Sequence, residues 1–561
     1  MPRLIECVPN FSEGRDRSKI DAITAAISSA PGVSLLDVDP GAETNRTVVT
    51  FVGEPEEVLE GAFRGIAEAA RVIDMRTHHG AHARLGATDV CPFVPVSGVT
   101  MEECVELARK LGARVGSELG IPVYLYESAA ARPERKNLAD VREGEYESLP
   151  SRTGNPLWTP DFGPSSFPPK SGATVIGARQ FLIAYNVNLN TRSKKLAHDI
   201  ALDIREKGRR KLDASGAPVK NKDGSYVMSP GKLPECKAVG WYIPEYGAAQ
   251  ISINLTNFHV TSLHEAFEAV VEEATRRGLR VTGSEIVGLV PLEAIRKAGI
   301  FYLRRQGLSA GVAESELVHV AAKSLGLSDL TPFHPEDKII EYRLRRKDAL
   351  VDRTLRGFVD ELSSESAAPG GGSAAALLGA LSAALSAMVA LLTAGKKGFE
   401  NVAPRMSDLG TEAQSLKDAF LEDVDRDTDA FLAVLAASRL PKKTPEEISA
   451  REAAQARAER DAIAVPLSVL ERSFRAAELA REVALHGNPN SLSDAGVAAF
   501  CARSCAEGAF ANVLINLTGK DDAASESLRA RAEEALSRTL AVVEETSRLV
   551  REKLETPLKT S

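Results

Sequence analysis

Hydrophobic and polar positions alternate between strand-like and helix-like periods over the first 128 residues. Apolar and β-branched runs predict strands at Leu4–Val8, Val33–Asp39, Thr47–Gly53, Val90–Val96 and Ile121–Tyr126. Apolar residues at helical spacing predict helices over Asp16–Ala30, from Pro55 to about Ile73, and from Thr100 onward. Proline suits the first turn of a helix, and Thr100 with Glu103 has the spacing of a capping box.

A second series of alternating strands and helices follows, separated from the first by the Pro/Gly-rich connector Thr159–Gly172. The predicted strands are Phe181–Leu189, Ala238–Ile243, Gln250–Leu255 and Arg280–Val290. The predicted helices are Ser193–Lys207, Thr261–Arg277 and Leu292–Gln306. Both series have a βαββαβ order, so we predict two related α/β sandwich subdomains, residues 1–173 and 174–328. The polar run Asp213–Lys232 is predicted to be an inserted loop or hairpin.

The pattern changes after about Leu350, where Ala, Leu, Glu and Arg dominate at helical spacing. Both tryptophans and every tyrosine precede this point. The fold class we predict is therefore multidomain: two α/β sandwich subdomains, a charged linker over residues 329–348, and an all-α helical bundle domain over 349–561.

Composition and charge narrow the class of partner. Hydrophobic residues make up 44% of the chain and charged residues 26%, as in globular proteins. The formal net charge of −8 does not favour a nucleic-acid partner. The N-terminus has no apolar signal-peptide core, so we expect a cytoplasmic protein. Residues 367–395 carry no charge, but Ala, Ser and Gly predominate; we predict a buried bundle or subunit-interface helix rather than a membrane span.

Candidate chemistry is concentrated in a few loops. The loop Thr77–Asp89 holds three of the nine histidines, and histidine exchanges protons near neutral pH. A metal cluster, ordinary surface histidines and a catalytic acid or base all remain open from the residues alone. The loop Asp37–Arg46 follows a strand, and its residues equally suit a turn or a cleft.

Two further segments carry potential site residues in the helical half. Three glycines at Gly370–Gly372 precede a long helix, where free amide groups can approach an anion, although a flexible lead-in explains them equally well.

Aspartates occur at positions 423, 425, 427 and 429. They do not form a calcium loop, because Thr428 stands where glycine is needed and Val434 where glutamate is needed. A solvated helix face is the ordinary explanation, but a buried member would have a raised pKa and serve as a general base.

Several separated motifs together resemble the formimidoyltransferase-cyclodeaminase family. They are ECVPNFSEG at 6–14, the 37–46 loop, HGAHARLGATDVCPF at 79–93, DFGPSSF at 161–167, GWY at 240–242, IVGLVP at 286–291, APGGGS at 368–373, LPKKTPEE at 440–447 and FANVLINL at 510–517. They span nearly the whole chain in the family's order. The inserted run Asp213–Lys232 is the main departure.

The resemblance implies a bifunctional folate enzyme with a transferase in the α/β half and a cyclodeaminase in the helical half. It implies that His82 is the acid/base residue of the transferase and Asp425 the base of the cyclodeaminase. Asp39 and Arg46 are expected at the first site, and Arg451, Gly370, Gly371 and Gly372 at the second. The implied folate-binding residues are Gly163, Pro164, Ser165, Ser166, Phe167, Pro168, Pro169, Lys170, Ser171 and Gly172.

The same resemblance implies formiminoglutamate and polyglutamylated tetrahydrofolate as substrates, with no prosthetic group, no metal and assembly into a homo-oligomer. Two rival hypotheses are kept. In one, only the transferase is active and the helical half serves assembly. In the other, the chain is a folate-binding or cytoskeletal scaffold without catalysis.

Overall fold

The computed structural model describes residues 3–42, 44–80, 83–152, 155–222, 224–345 and 348–555. The chain divides into two compact units, one of residues 1–291 with 329–344 and one of residues 292–328 with 345–561. The first unit contains the sheets and the second is helical, which confirms the predicted change of class along the chain. The bounds 1–173, 174–328, 329–348 and 349–561 stay a prediction, and the compact units group residues 292–328 with the helical part.

The first α/β region contains a seven-stranded mixed sheet. Its elements are β1 (Leu4–Cys7), β2 (Asn10–Phe11), α1 (Arg17–Ser28), β3 (Ser34–Gly41), β4 (Arg46–Gly53), α2 (Pro55–Val72), β5 (Thr88–Ser97), α3 (Met101–Glu118), β6 (Val123–Glu127), α4 (Leu138–Val141), α5 (Glu145–Arg152) and β7 (Thr174–Ala178). The order across the sheet is β3, β4, β1 with β2, β5, β7, β6, with β7 parallel to both of its neighbours. The predicted capping box of Thr100 and Glu103 is confirmed at the start of α3.

Helices α1, α2 and α3 supply one apolar core against this sheet. Ile5, Phe51 and Phe93 are fully buried in that core together with Ile27 and Leu111 from the helices. Strand side chains alternate between faces, so the neighbours of these residues point to the opposite face. That opposite face carries the candidate site residues of β3 and β4.

The second α/β region contains a four-stranded antiparallel sheet. Its elements are β8 (Ile183–Leu189), α6 (Lys194–Ile204), β9 (Arg209–Arg210), β10 (Met228–Ser229), β11 (Cys236–Ile243), β12 (Ala248–Leu255), α7 (Leu263–Arg276) and β13 (Val281–Val287). The order is β11, β12, β8, β13. The predicted insertion forms a hairpin: β9, just before Asp213, pairs with β10, and Lys220 pairs with Tyr226 inside the insertion.

The remaining elements are helices. They are α8 (Leu292–Arg305), α9 (Glu314–Ser324), α10 (Pro335–Lys338), α11 (Ile340–Arg343), α12 (Leu355–Leu362), α13 (Gly371–Ala394), α14 (Ala403–Ser438), α15 (Pro445–His486), α16 (Leu492–Asn516) and α17 (Ala523–Glu555). Small residues of α13, such as Ala376 and Ala380, pack with Phe420 and Leu470 in a common core. Gly379 is needed there, because a β-carbon would lie 2.6 Å from the Phe420 ring.

Helix α13 is the uncharged segment singled out in the sequence. Among the described residues it alone is long and apolar enough to cross a membrane, with a mean hydropathy of 2.2 over its most apolar window. Of that window, 56% is buried inside the protein. A buried alanine face and an exposed face with Leu381, Met388 and Leu392 therefore lie on the same helix.

Candidate active sites

Asp39 and Arg46 lie on neighbouring strands of the first sheet, near a second pair of opposite charges. Asp39 is exposed in β3 and Arg46 is half-buried at the start of β4. Burial lowers the pKa of Arg46, and nearby Arg142 lowers it further, while Asp89 and Asp39 act in the opposite direction. The two predicted residues thus belong to a cluster of four charged groups.

Asp89 and Arg142 are the members of this cluster that sequence reasoning missed. Asp89 is fully buried, and Arg142 contacts both of its carboxylate oxygens, with Nε 3.3 Å from Oδ1. The backbone N–H of Leu85 also donates to Asp89 Oδ1, at 3.0 Å. Asp89 is the last residue of the histidine loop, but Arg142 lies 53 residues further on and no local pattern connects the two.

The predicted catalyst His82 lies outside the described residues, as does Ala81. The structure describes the two ends of the loop that carries it. At one end, His78 is buried and its Nε2 lies 2.9 Å from the carbonyl oxygen of Asn45. At the other end, Arg84 is 7% exposed and donates hydrogen bonds to the carboxylates of Glu145 and Glu147.

The connector Gly163–Gly172 passes directly beside the histidine loop. The N–H of Ala87 donates to the carbonyl of Ser171 at 2.8 Å, and Gly86 pairs with Gly172. A β-carbon on Gly86 would lie 2.3 Å from a backbone oxygen, so this approach requires glycine. The implied folate-binding segment and the loop of His82 are therefore adjacent, which sequence separation alone does not reveal.

Part of the connector lines a cavity of about 170 Å³. Its walls include Ser165, Ser166 and Phe167 together with Tyr124 and Trp158. Arg152 also lines it, with the guanidinium carbon 3.7 Å from the centre of the Trp158 ring. Pockets that enclose a whole drug-sized ligand are larger, about 300–1,000 Å³. This cavity therefore fits one ring or one charged end of a larger molecule.

Lys170 is engaged with the protein backbone. Its Nζ donates to the carbonyl oxygen of Arg71 at 2.7 Å. The side chain is exposed at the surface, and its backbone carbonyl accepts from the N–H of Met75 at 2.9 Å. Lys170 thus fixes the connector to the end of α2.

In the helical unit, Asp425 holds a turn of the preceding chain. Its carboxylate accepts hydrogen bonds from the backbone N–H groups of Leu350, at 2.7 Å, and Val351, at 3.5 Å. These amides open the short helical turn at Leu350–Asp352. In this structure the carboxylate of Asp425, the predicted base, therefore caps a turn.

Asp427 lies against the glycine-rich start of α13. Its Oδ2 accepts a hydrogen bond of 3.1 Å from the Ser373 hydroxyl, and a β-carbon on Gly372 would lie 2.1 Å from its Oδ1. Burial raises the pKa of Asp427, and the hydrogen bonds from Ser373 oppose that rise. The signal available in the sequence was the four-residue spacing of Asp423 and Asp427, which places both on one face of a helix.

Asp423, one turn before Asp427, is buried and pairs with two partly exposed arginines. Asp423 is fully buried and contacts Arg472 and Arg426, the latter at 2.7 Å. Burial raises the pKa of Asp423, while the two arginines lower it. The charge of Asp423 also contributes to the raised pKa of Asp427.

Arg451 lies in the first turns of α15, and Gly370 to Gly372 span the start of α13. The Nε of Arg451 is buried and has no hydrogen-bond partner among the described residues. A buried guanidinium nitrogen without a partner is costly, so an anionic group at this position would satisfy it. Across the described residues, no group of three or more His, Cys, Asp or Glu side chains has a metal-binding arrangement.

Comparison with known proteins matches three successive segments of the chain to family models. Family models match at residues 4–179 (formiminotransferase domain, N-terminal subdomain), 184–345 (formiminotransferase domain) and 354–534 (formiminotransferase-cyclodeaminase). Formimidoyltransferase-cyclodeaminase of Sus scrofa is 44% identical over 558 residues, with 99% of each chain covered.

Two shorter relatives each match one part. Glutamate formimidoyltransferase of Streptococcus pyogenes serotype M1 is 42% identical over 304 residues, which are 54% of this chain and 94% of that protein. Methenyltetrahydrofolate cyclohydrolase of Methylorubrum extorquens is 40% identical over 185 residues, which are 33% of this chain and 86% of that protein. With full-length relatives at 43% and 44% identity, the chain belongs to the formimidoyltransferase-cyclodeaminase family.

Proposed function

We propose that this chain catalyses two consecutive folate reactions, one in each half. The first transfers the formimino group of N-formimidoyl-L-glutamate to N5 of tetrahydrofolate and releases glutamate. The second closes 5-formimidoyltetrahydrofolate to 5,10-methenyltetrahydrofolate and releases ammonia. The observation that carries this proposal is the match of 99% of the chain to a relative named for both activities.

In the first reaction, N5 of tetrahydrofolate attacks the formimidoyl carbon and the glutamate amine leaves with a proton. A base accepts the proton that N5 loses, and His82 gives a proton to the departing amine, because an imidazole both donates and accepts near neutral pH. Arg46 binds a carboxylate of the substrate, and Asp39 holds the cationic amidine. The connector Gly163–Gly172 binds the folate, a role supported by its contact with the histidine loop.

The cavity beside the connector receives one end of the folate. Tyr124, Trp158 and Phe167 offer aromatic surfaces to a flat ring, and Arg152 adds a positive charge to the wall. Aromatic side chains stack favourably on planar rings. Ser165 and Ser166 supply hydroxyl groups that can pair with the ring's edge or with a carboxylate.

In the second reaction, N10 attacks the formimidoyl carbon, loses its proton to a base, and ammonia departs. Asp425 is the base that the family resemblance implies. Asp427 is a second candidate for that role, supported by its partial burial and its contact with Ser373 at the start of α13. Gly370, Gly371, Gly372 and Arg451 bind the anionic portions of the folate, because amides at a helix start and a guanidinium whose Nε has no partner attract anions.

Tetrahydrofolate, in its polyglutamylated form, is a co-substrate, and the two reactions transfer no electrons. We further propose that the α/β regions are two related βαββαβ sandwiches and that the protein works in the cytoplasm as a homo-oligomer. Exposed apolar side chains on α13 and α16, among them Leu392, Phe500 and Ile515, support a contact with a second copy of the chain.

The test is an assay of both reactions on the wild type and on His82→Ala and Asp425→Asn. Formation of the methenyl product is followed by its absorbance, and glutamate release reports the transferase. We expect His82→Ala to abolish only the transfer. If the wild-type protein makes 5-formimidoyltetrahydrofolate but no methenyl product, the transferase-only hypothesis is supported. If it is inactive in both reactions, the scaffold hypothesis is supported.

A second candidate activity for the helical half is hydrolysis of the methenyl bridge. The cyclohydrolase of Methylorubrum extorquens, whose match covers 33% of this chain, favours it. Incubation of 5,10-methenyltetrahydrofolate with the protein, followed by detection of 10-formyltetrahydrofolate, distinguishes this reaction from cyclodeamination.

A further inference from the structure

The ring of His78 is held at both nitrogens. Its Nε2 lies 2.9 Å from the carbonyl oxygen of Asn45, and a carbonyl only accepts, so Nε2 carries the hydrogen. Its Nδ1 lies 3.4 Å from Nε of Arg84, and that N–H only donates, so Nδ1 presents a lone pair. The contacts therefore select one neutral tautomer of His78.

Asn45 holds the first end of the histidine loop by hydrogen bonds. Its backbone adopts the left-handed conformation, with φ of +48°, and its side chain is buried. The Asn45 Nδ2 donates to the carbonyl of His79 at 3.1 Å, and its Oδ1 accepts from the N–H of Gly14 at 3.0 Å. The next loop residue, Gly80, is so close that a β-carbon would lie 2.2 Å from the Thr44 carbonyl oxygen.

Arg84 holds the second end of the same loop by hydrogen bonds to two glutamates. Its guanidinium donates to Glu145 at 2.7 Å and to Glu147 at 2.7 and 2.9 Å. This network, together with the contact to Nδ1 of His78, connects the two ends of the loop. Residue 82 lies between these two ends in the chain.

The charged groups around His78 come from three parts of the fold. Arg84 lies on its own loop, while Glu13 and Arg15 lie in the turn between β2 and α1. Glu145 and Glu147 of α5 act through Arg84. Burial lowers the pKa of His78, Arg84 and Arg15 lower it further, and the Asn45 carbonyl and Glu13 oppose the change.

We propose that neutral His78 is a positioning residue of the transferase, which joins the two described ends of the loop that carries His82. The inference rests on the proposed role of His82. A protonated His78 would present a second N–H to the Arg84 guanidinium, where two donors and two positive charges repel. The contact between His78 and Arg84 is therefore kept above the pKa of His78 and lost as the pH falls through it, and we expect transferase activity to fall with it.

The test compares His78→Gln, His78→Phe and the control His79→Gln, whose side chain is exposed. In His78→Gln, the amide nitrogen of the new side chain reaches the position of Nε2 and cannot titrate. At pH 8 we expect this variant to keep kcat within about 3-fold of the wild-type value. We expect the acid limb of its pH–rate profile to move to lower pH. We expect His78→Phe to lower kcat about 100-fold with KM for tetrahydrofolate little changed, as misplacement of a catalytic group does.

Two results would overturn the proposal: an acid limb of His78→Gln identical to that of the wild type, or a His78→Phe protein with wild-type kcat. The pH profile of His78→Gln decides even where the Phe variant does not fold. His82→Ala is assayed in parallel. An active His82→Ala enzyme would refute the role of His82 itself, whereas an inactive one with unaffected His78 variants would refute only the role of His78.

Discussion

The hydroxyl of Ser373 donates a 3.1 Å hydrogen bond to the carboxylate of Asp427 in the first turn of the glycine-rich helix. The same hydroxyl lies 2.9 Å from the carbonyl of Val424 and 3.1 Å from the hydroxyl of Thr428. Helices α13 and α14 are thus joined by polar contacts at the point where the sequence predicted an anion site. A carboxylate thus lies at the start of this helix, where it accepts from both the side chain and the backbone N–H of Ser373.

The first prediction concerns the base of the cyclodeaminase. We expect Asp427→Asn to lower the rate of methenyl formation at least about 100-fold, the scale of general-base catalysis, with the transferase unchanged. Asp425→Asn should mainly weaken the turn at Leu350–Asp352, and so lower the unfolding temperature more than the rate. Rates and thermal unfolding of both variants are measured together. The reverse order of effects would favour Asp425, the base that the family resemblance implies.

The second prediction uses the close approach of Gly372 to Asp427. In Gly372→Ala, the new β-carbon would lie 2.1 Å from Asp427 Oδ1, so the carboxylate must move. We expect cyclodeaminase activity to fall about 10-fold or more, because small displacements of catalytic groups are costly. Gly395→Ala, at the other end of the same helix, has its nearest contact at 3.7 Å and is the matched control. Equal activity of the two variants would argue against a site at this helix start.

The third prediction concerns pH and Glu6. Burial raises the pKa of Glu6 from 4.5 to about 7, while the charge of Arg179 opposes the rise. The folded state thus binds the proton more tightly than the unfolded state, so stability is lost as the pH rises from about 4.5 to about 7. Glu6→Gln should remove this loss and be more stable than the wild type at pH 8, by about 1–3 kcal/mol.

Denaturant unfolding followed by tryptophan fluorescence measures this effect, since both tryptophans lie in the α/β half. The exposed Glu102→Gln is the control. A wild-type stability that does not fall between pH 5 and pH 8 relative to Glu6→Gln would contradict the buried, protonated state of Glu6.

The fourth prediction concerns assembly. Leu392 is 52% exposed and Phe500 is 55% exposed, on α13 and α16. Burying such side chains against another copy stabilises an oligomer, and a charge there opposes it. We expect the double variant Leu392→Glu and Phe500→Glu to have a lower mass by light scattering than the wild type. Leu212→Glu changes a similarly exposed leucine just before the inserted segment and should leave the mass unchanged. Equal masses of all three proteins would contradict the proposed contact.

The sequence by itself determined the local elements and the order of the two classes of structure. Thr100 with Glu103 marked the start of α3, and Pro55 marked the start of α2, because capping and proline effects act within one turn. The small residues of α13 indicated close helix packing, since spacing and side-chain size are local properties. Motifs in a constant order indicated the family.

Only the tertiary structure decided which distant groups meet. It brought Arg142 to Asp89, the connector to the histidine loop, and Asp427 rather than Asp425 to Ser373. Periodicity shows which side of a helix or strand is buried, but it carries no information on the residue that packs against that side. That choice depends on long-range pairing of strands and helices, and so the surroundings of each candidate site residue were not readable from the chain alone.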